Sequence, residues 1–266
     1  MAGLVALDMY DWPELRTETD AFWQRLSGFL AEDGIDADSQ LTRFEEVSTP
    51  WRDPDLLLGQ TCGLPLISGK CGDAVVVARP CYGVEGCEDV DGGTYRSALI
   101  CRSDAADDLA DFRGKTAAIN EWGSQSGFNA FADALGDLGL GPAGFFGNVL
   151  LSGSHRASAD AVAAGKADLC ALDAVAWAIY KTVAPRQTAD LQVIGWTAAA
   201  PCLPFITAPK NRDLAQALCH ALDRAARASP PCPALPVRVG PADPTDYQPI
   251  REMAARVKGI AFASQI

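Results

Sequence analysis

The stretch that decides the fold runs Thr116-Ala117-Ala118-Ile119-Asn120-Glu121-Trp122-Gly123-Ser124-Gln125-Ser126-Gly127. Thr116 to Ile119 read as a short buried strand. Phe128, Phe131, Leu135 and Leu138 then recur at helical spacing and predict a helix over 126–138. Between them lies a polar loop with two glycines. A strand, such a loop and a helix start place this segment at the carboxyl end of an α/β sheet, where open sheets bind ligands. A helix start offers unpaired N–H groups and a positive dipole end, which suit an anion. Ser124 and Ser126 add hydroxyl donors, and the glycines let a ligand approach the backbone. The alternative reading is plain helix capping by Ser124 or Ser126.

Working outward, the pattern repeats. Residues 148–151, 168–172 and 191–196 read as strands. Residues 154–164 and 174–183 read as helices, the first ended by Gly165 as a left-handed cap and the second by Pro185. This alternation predicts a parallel sheet covered by helices on both faces. Upstream, strands are expected at 3–7, 41–47, 56–58, 74–78 and 95–102, with a helix from Pro13 to Gly34. Downstream come a strand at 203–208, a helix at 211–228, a proline-rich loop at 229–236 and a final helix at 249–258. The middle block, 98–198, looks complete by itself; each flank looks incomplete. The expectation is therefore an α/β protein of two Rossmann-like lobes with a ligand cleft between them. Lobe 1 would be residues 1–95 plus 203–266, lobe 2 an insertion at 98–198, with hinge crossings near 95–98 and 198–203.

Composition narrows the function. The chain of 266 residues carries 34 acidic and 22 basic side chains, a formal charge of −12, which opposes nucleic acid as a partner. An anionic ligand must then be held by a local site and not by the overall field. No run is long and apolar enough for direct membrane insertion. The opening Met1-Ala2-Gly3-Leu4-Val5-Ala6-Leu7-Asp8 lacks the pattern of a secretory leader. The sequence as written thus reads as cytoplasmic, or as periplasmic if an export signal has been trimmed. Nine cysteines include no C-x-x-C pair, and only two histidines are present, so neither a metal nor another cofactor is expected. Cys101, Cys170 and Cys219 read as small buried hydrophobes. A disulfide among Cys62, Cys81 and Cys87 stays open, according to compartment.

Other strand ends carry polar groups. Ser152-Gly153-Ser154-His155 repeats the strand, loop and helix-start design; His155 can donate to an oxyanion, or can simply sit exposed in a first helical turn. Asp173 can accept a proton from a ligand oxygen or amine, or cap the next helix. Tyr10, Gln60 and Thr61 occupy the matching positions in the other lobe. An enzyme reading fares worse. Gln125, not a serine, is the centre of Gly123-Ser124-Gln125-Ser126-Gly127, so a G-x-S-x-G elbow fails, and no nucleophile–base pair can be assigned from spacing.

These residues, taken in order, resemble the phosphate/phosphonate-type substrate-binding proteins of ABC transporters, a branch of the type 2 periplasmic binding proteins. The carriers are Leu57-Leu58-Gly59-Gln60-Thr61-Cys62-Gly63, Tyr95-Arg96-Ser97-Ala98-Leu99-Ile100, Asp111-Phe112-Arg113-Gly114-Lys115-Thr116, Ser124-Gln125-Ser126-Gly127, Ser152-Gly153-Ser154-His155 and Gly165-Lys166-Ala167-Asp168. The resemblance implies a solute-binding protein, not an enzyme, that grips a small anionic ligand such as phosphonate or phosphate and works with an ABC permease. It implies a ligand site of Ser124, Gln125, Ser126, Gly127, His155 and Asp173, with Tyr10, Gln60, Thr61 and Tyr95 lining the cleft. Gln125 departs from the family's threonine, and Trp12 and Trp122 are placed to add an aromatic wall. Two other roles stay open: a cytoplasmic sensor of the same fold, and a small-metabolite enzyme built on it.

Overall fold

A computed structural model describes residues 3–87, 92–140, 143–260 and 262. Its strands are β1 (Leu4–Ala6), β2 (Leu56–Gln60), β3 (Val75–Cys81), β4 (Thr94–Tyr95), β5 (Ser97–Arg102), β6 (Thr116–Ile119), β7 (Asn148–Leu151), β8 (Leu169–Asp173), β9 (Leu191–Trp196), β10 (Ala200–Pro201), β11 (Phe205–Thr207) and β12 (Arg238–Pro241). Its α-helices are α1 (Arg16–Glu32), α2 (Gly63–Ile67), α3 (Ala130–Asp137), α4 (His155–Ala163), α5 (Ala174–Val183), α6 (Pro185–Thr188), α7 (Ala215–Ala228) and α8 (Gln248–Val257). The chain divides into two units: Met1–Thr94 with Pro201–Gln248, and Tyr95–Ala200 with Pro249–Ile266.

The first unit is built on a sheet of order β1-β2-β11-β3-β12. Phe22, Leu26 and Leu30 of α1 and Leu218, Leu222 and Ala225 of α7 share one core with Val5, Leu58, Val77 and Phe205 of the sheet. Trp51, Leu56, Cys71 and Ile206 form a smaller cluster. The second unit has a sheet of order β7-β6-β8-β5-β9. Leu99, Cys101, Ala117, Ile119, Leu169 and Ala171 point to one face of it, where Phe131 and Leu135 of α3, Phe145, Phe146, Val257 and Phe262 cover them. Cys101, Cys170 and Cys219 are all buried.

Four expectations are corrected. The sheets are mixed: β5 runs antiparallel to both β8 and β9, and β11 and β12 run antiparallel to their neighbours. The βαβ pattern covers only β6 to β9 and is silent on strands that join the sheet from far along the chain. Residues 41–47 form no strand, and the polar side of that segment is used otherwise: Arg43 pairs with Asp11 and Asp20. The predicted helix at 126–138 opens as a π-helical turn over Gln125–Asn129 before α3 begins. Residues from Pro249 onward group with the second unit, not the first. Met253 of α8 meets Gln125, and Arg256 of α8 bonds Asp133 of α3 through both carboxylate oxygens, at 2.7 and 2.8 Å.

Beyond β1, one carboxyl is out of balance. Asp8 Oδ2 is buried with no hydrogen-bond partner. Burial pushes the Asp8 carboxyl up to about 6; the Asp11 carboxylate adds to the rise, and a backbone hydrogen bond from Phe44 opposes it. A carboxyl whose folded pKa is raised favours the native state at pH values below its unfolded value. That advantage is lost as pH rises through about 6. Asp8→Asn is therefore expected to melt higher than the parent at pH 7–8, by on the order of 1 kcal/mol after solvent screening, and to match it at pH 4. Thermal melts across pH 4–8 check this; an equal gain at pH 4 removes ionisation as the cause.

Candidate functional site

One edge of the second unit's sheet gathers polar side chains. Asn120, Ser152 and Asp173 stand at the carboxyl ends of β6, β7 and β8, and Thr197 follows β9. Ser97 opens β5, which runs the other way, and pairs directly with Asp173. Ser97 and Thr197 are joined by two hydrogen bonds: Ser97 N–H donates to Thr197 Oγ1 at 2.9 Å, and Thr197 N–H to Ser97 O at 3.0 Å. Arg96 donates from Nη1 to the Thr197 carbonyl at 2.9 Å.

The loop after β6 sits over this edge. Ser124 caps the turn: its Oγ accepts from Gly127 N–H at 3.0 Å. Ser126 Oγ lies 2.9 Å from His155 Nε2, at the first residue of α4. Gly127 is required by what surrounds it. A Cβ there would lie 1.9 Å from Asn120 Oδ1 and 3.3 Å from His155 Cε1. Ser124, Gln125, Ser126 and Gly127 are all buried. Trp122, beside them, is 41% exposed and packs edge-to-face on Phe128 at 4.9 Å.

Burial pulls the His155 imidazole down to about 4, so it is neutral at pH 7. It cannot act as a fixed cation there. The Ala171 carbonyl is a hydrogen-bond partner of the ring and opposes that pull, whereas Asn120 Oδ1 and Ser97 Oγ are buried with no partner in the protein. Such atoms are costly, about 1–3 kcal/mol each. Two of them at one sheet edge mark a place where hydrogen-bonding capacity is held in reserve.

The other expected site residues fare differently. Gln125 is fully buried and turned into the unit: Nε2 donates to Met253 Sδ at 3.2 Å, and Oε1 accepts from Asn129 Nδ2 at 2.6 Å. Both ends of the amide are thus engaged within the protein. Asp173 Oδ1 caps α5, accepting from Val175 N–H at 2.7 Å and Ala176 N–H at 3.2 Å. In the first unit, Gln60 Nε2 donates to Tyr82 Oη at 3.2 Å and to the Leu203 carbonyl at 3.1 Å. Tyr10 packs edge-to-face on Tyr82 at 5.4 Å. The cavity that Tyr10, Gln60 and Tyr82 line holds about 20 Å³, room for a water. Thr61 is buried with Oγ1 3.3 Å from Cys71 Sγ, and Tyr95 is buried in β4. Asn120, Ser97 and Thr197 were not foreseen. Their only signal is a polar residue at the end of an apolar strand.

Among the described residues, no group of His, Cys, Asp and Glu is placed to hold a metal ion, and no helix is long and apolar enough to cross a membrane. The family model of the ABC-transporter phosphonate periplasmic substrate-binding protein matches residues 55–230, a span that includes every strand end of this edge. The chain belongs to that family. Its fold is shared by solved relatives. PhnD1 from Prochlorococcus marinus, solved in complex with methylphosphonate, has a TM-score of 0.71 at 17% identity over 97% of this chain and 98% of its own. A binding-protein component of an ABC phosphonate transporter from Pseudomonas aeruginosa scores 0.69 at 14% identity, over 100% and 91%. XAC2383 from Xanthomonas citri, bound to ATP, scores 0.66 at 19% identity, over 97% and 96%. No curated protein sequence matches the chain. As a family member the protein has the type 2 periplasmic binding protein fold and is a solute-binding protein.

Proposed function

We propose that this protein binds a small solute bearing a phosphonate, phosphate or similar oxyanion, and delivers it to an ABC permease. The observation that carries the reading is the Ser126–His155 contact at a helix start, with Ser124 and Gly127 shaping the same turn. Hydroxyls, backbone N–H groups and a neutral imidazole bind a tetrahedral anion through directed hydrogen bonds, which suits a chain whose net charge is −12. The family is one of periplasmic proteins, and delivery to a permease places the mature chain in that compartment.

A second reading takes the Ser126–His155 pair as a nucleophile and its base. The contact distance favours it. Two facts oppose it. No carboxylate orients His155; its backbone partner is the Ala171 carbonyl. An imidazole titrating at about 4 is also a weak base at neutral pH. Binding without turnover is the better account.

The test is a thermal-shift panel of phosphate, phosphite, methylphosphonate, 2-aminoethylphosphonate, sulfate and ATP, with product analysis after incubation. A ligand present at 1,000 times its Kd stabilises by about 4 kcal/mol, so at least one phosphorus oxyanion should raise Tm by several degrees and be recovered unchanged. A flat response to every member overturns the reading; a recovered product favours the enzyme.

A further inference from the structure

Resting on the oxyanion reading, we propose that the site takes its headgroup in a proton-bearing form, as a hydrogen phosphonate or hydrogen phosphate, and that Asn120 enforces this by accepting the ligand's P–OH proton. Asn120 Oδ1 is buried, and nothing in the protein donates to it. It lies over Gly127 Cα, in the space a side chain at 127 would fill, and His155 Cε1 also borders that space. The Gly127 Cα–H faces Oδ1, and a C–H accepted by an oxygen but repelled by an amide N–H sets which way the amide points. The atom presented is therefore a fixed acceptor.

The neighbours do not share this constraint. Ser126 Oγ and His155 Nε2 can exchange donor and acceptor roles between hydroxyl rotamers and imidazole tautomers. Ser97 Oγ, also buried and unpartnered, can donate or accept. These groups adapt to an oxygen with or without a proton. Asn120 Oδ1 cannot: opposite a bare oxygen it would set lone pair against lone pair in a site withdrawn from water. A ligand O–H relieves the buried acceptor, and a site that pairs a ligand hydroxyl rejects analogues lacking it far more strongly than shape alone would allow. Phosphonates and phosphates carry such a proton near neutral pH; sulfonates and sulfate do not.

Methylphosphonate and methanesulfonate make the comparison, because the hydrogen methylphosphonate and methanesulfonate monoanions share size, shape and charge and differ in the P–OH. Isothermal calorimetry on the whole chain at a pH near 6 is expected to show methylphosphonate binding at least about a hundredfold more tightly than methanesulfonate. In Asn120→Ala, methylphosphonate should weaken tenfold or more while methanesulfonate holds or improves, so that the gap closes to a fewfold. Asn120→Ser serves if the alanine variant does not fold, judged by its melting profile. Equal affinity in the parent, or a gap that survives both variants, overturns the proton-bearing ligand and leaves the oxyanion reading standing. If neither compound binds the parent, and phosphate and phosphite fail too, the oxyanion reading falls and takes this proposal with it.

Discussion

Gly127→Ala is expected to reduce oxyanion binding by a hundredfold or more while the fold survives. The backbone at Gly127 does not adopt a positive φ, so alanine is not excluded by conformation. It is excluded by space, because the new Cβ would lie 1.9 Å from Asn120 Oδ1 and 3.3 Å from His155 Cε1. Asn120 must swing away, and the His155 ring must give by a few tenths of an ångström. Overpacking of this kind costs about 1–3 kcal/mol in stability, which a unit with a large aromatic core can absorb. The binding loss is larger than the stability loss because the displaced groups are those proposed to meet the ligand. Calorimetry and melting curves on the same sample check both halves. An alanine variant with parental affinity would show that the turn only starts a helix.

Arg256→Ala is expected to be the most damaging surface substitution in the second unit. Asp133 is 4% exposed, and its two carboxylate oxygens are both bonded by Arg256. Removing the guanidinium leaves a buried carboxylate without its cation, a loss of about 3–5 kcal/mol for a fully buried pair. Arg256 itself is half exposed, so about 2–3 kcal/mol is expected here. The same helix brings Met253 to Gln125, so α8 holds the turn that carries Ser124 and Ser126. Chemical denaturation measures the loss. Restoration by Arg256→Lys should be partial, since one ammonium cannot reproduce the two-pronged contact. A neutral Arg256→Ala would mean that α8 is peripheral to the second unit.

Much of this protein was legible in its sequence. The run Thr116–Gly127 and its repeats at Ser152–His155 and Asp173 are local signals: apolar strands of a few residues, polar turn residues and helical spacing. Local signals survive into the fold because backbone propensity and turn chemistry act over a few residues. The ordered set of motifs was also enough to indicate the family that the match over residues 55–230 establishes.

What the sequence left open depends on partners far along the chain. Whether β5 pairs antiparallel is decided by β8 and β9, some seventy and more residues away. Gln125 looked like a ligand donor because it lies between two serines; it turns inward because Met253, from the carboxyl-terminal helix, supplies the contact. Asp173 reads in the sequence as a helix cap or a ligand group; in the fold its Oδ1 accepts from Val175 and Ala176 N–H. Asn120 carried no signal of its own, since its meaning lies in the empty side-chain position of Gly127. Composition and periodicity determined by themselves that the chain has α/β order and a polar helix start beside an apolar strand. Tertiary packing alone decided which polar atoms are satisfied within the protein and which are not, because hydrogen bonds are closed by neighbours in space, whatever their distance in sequence.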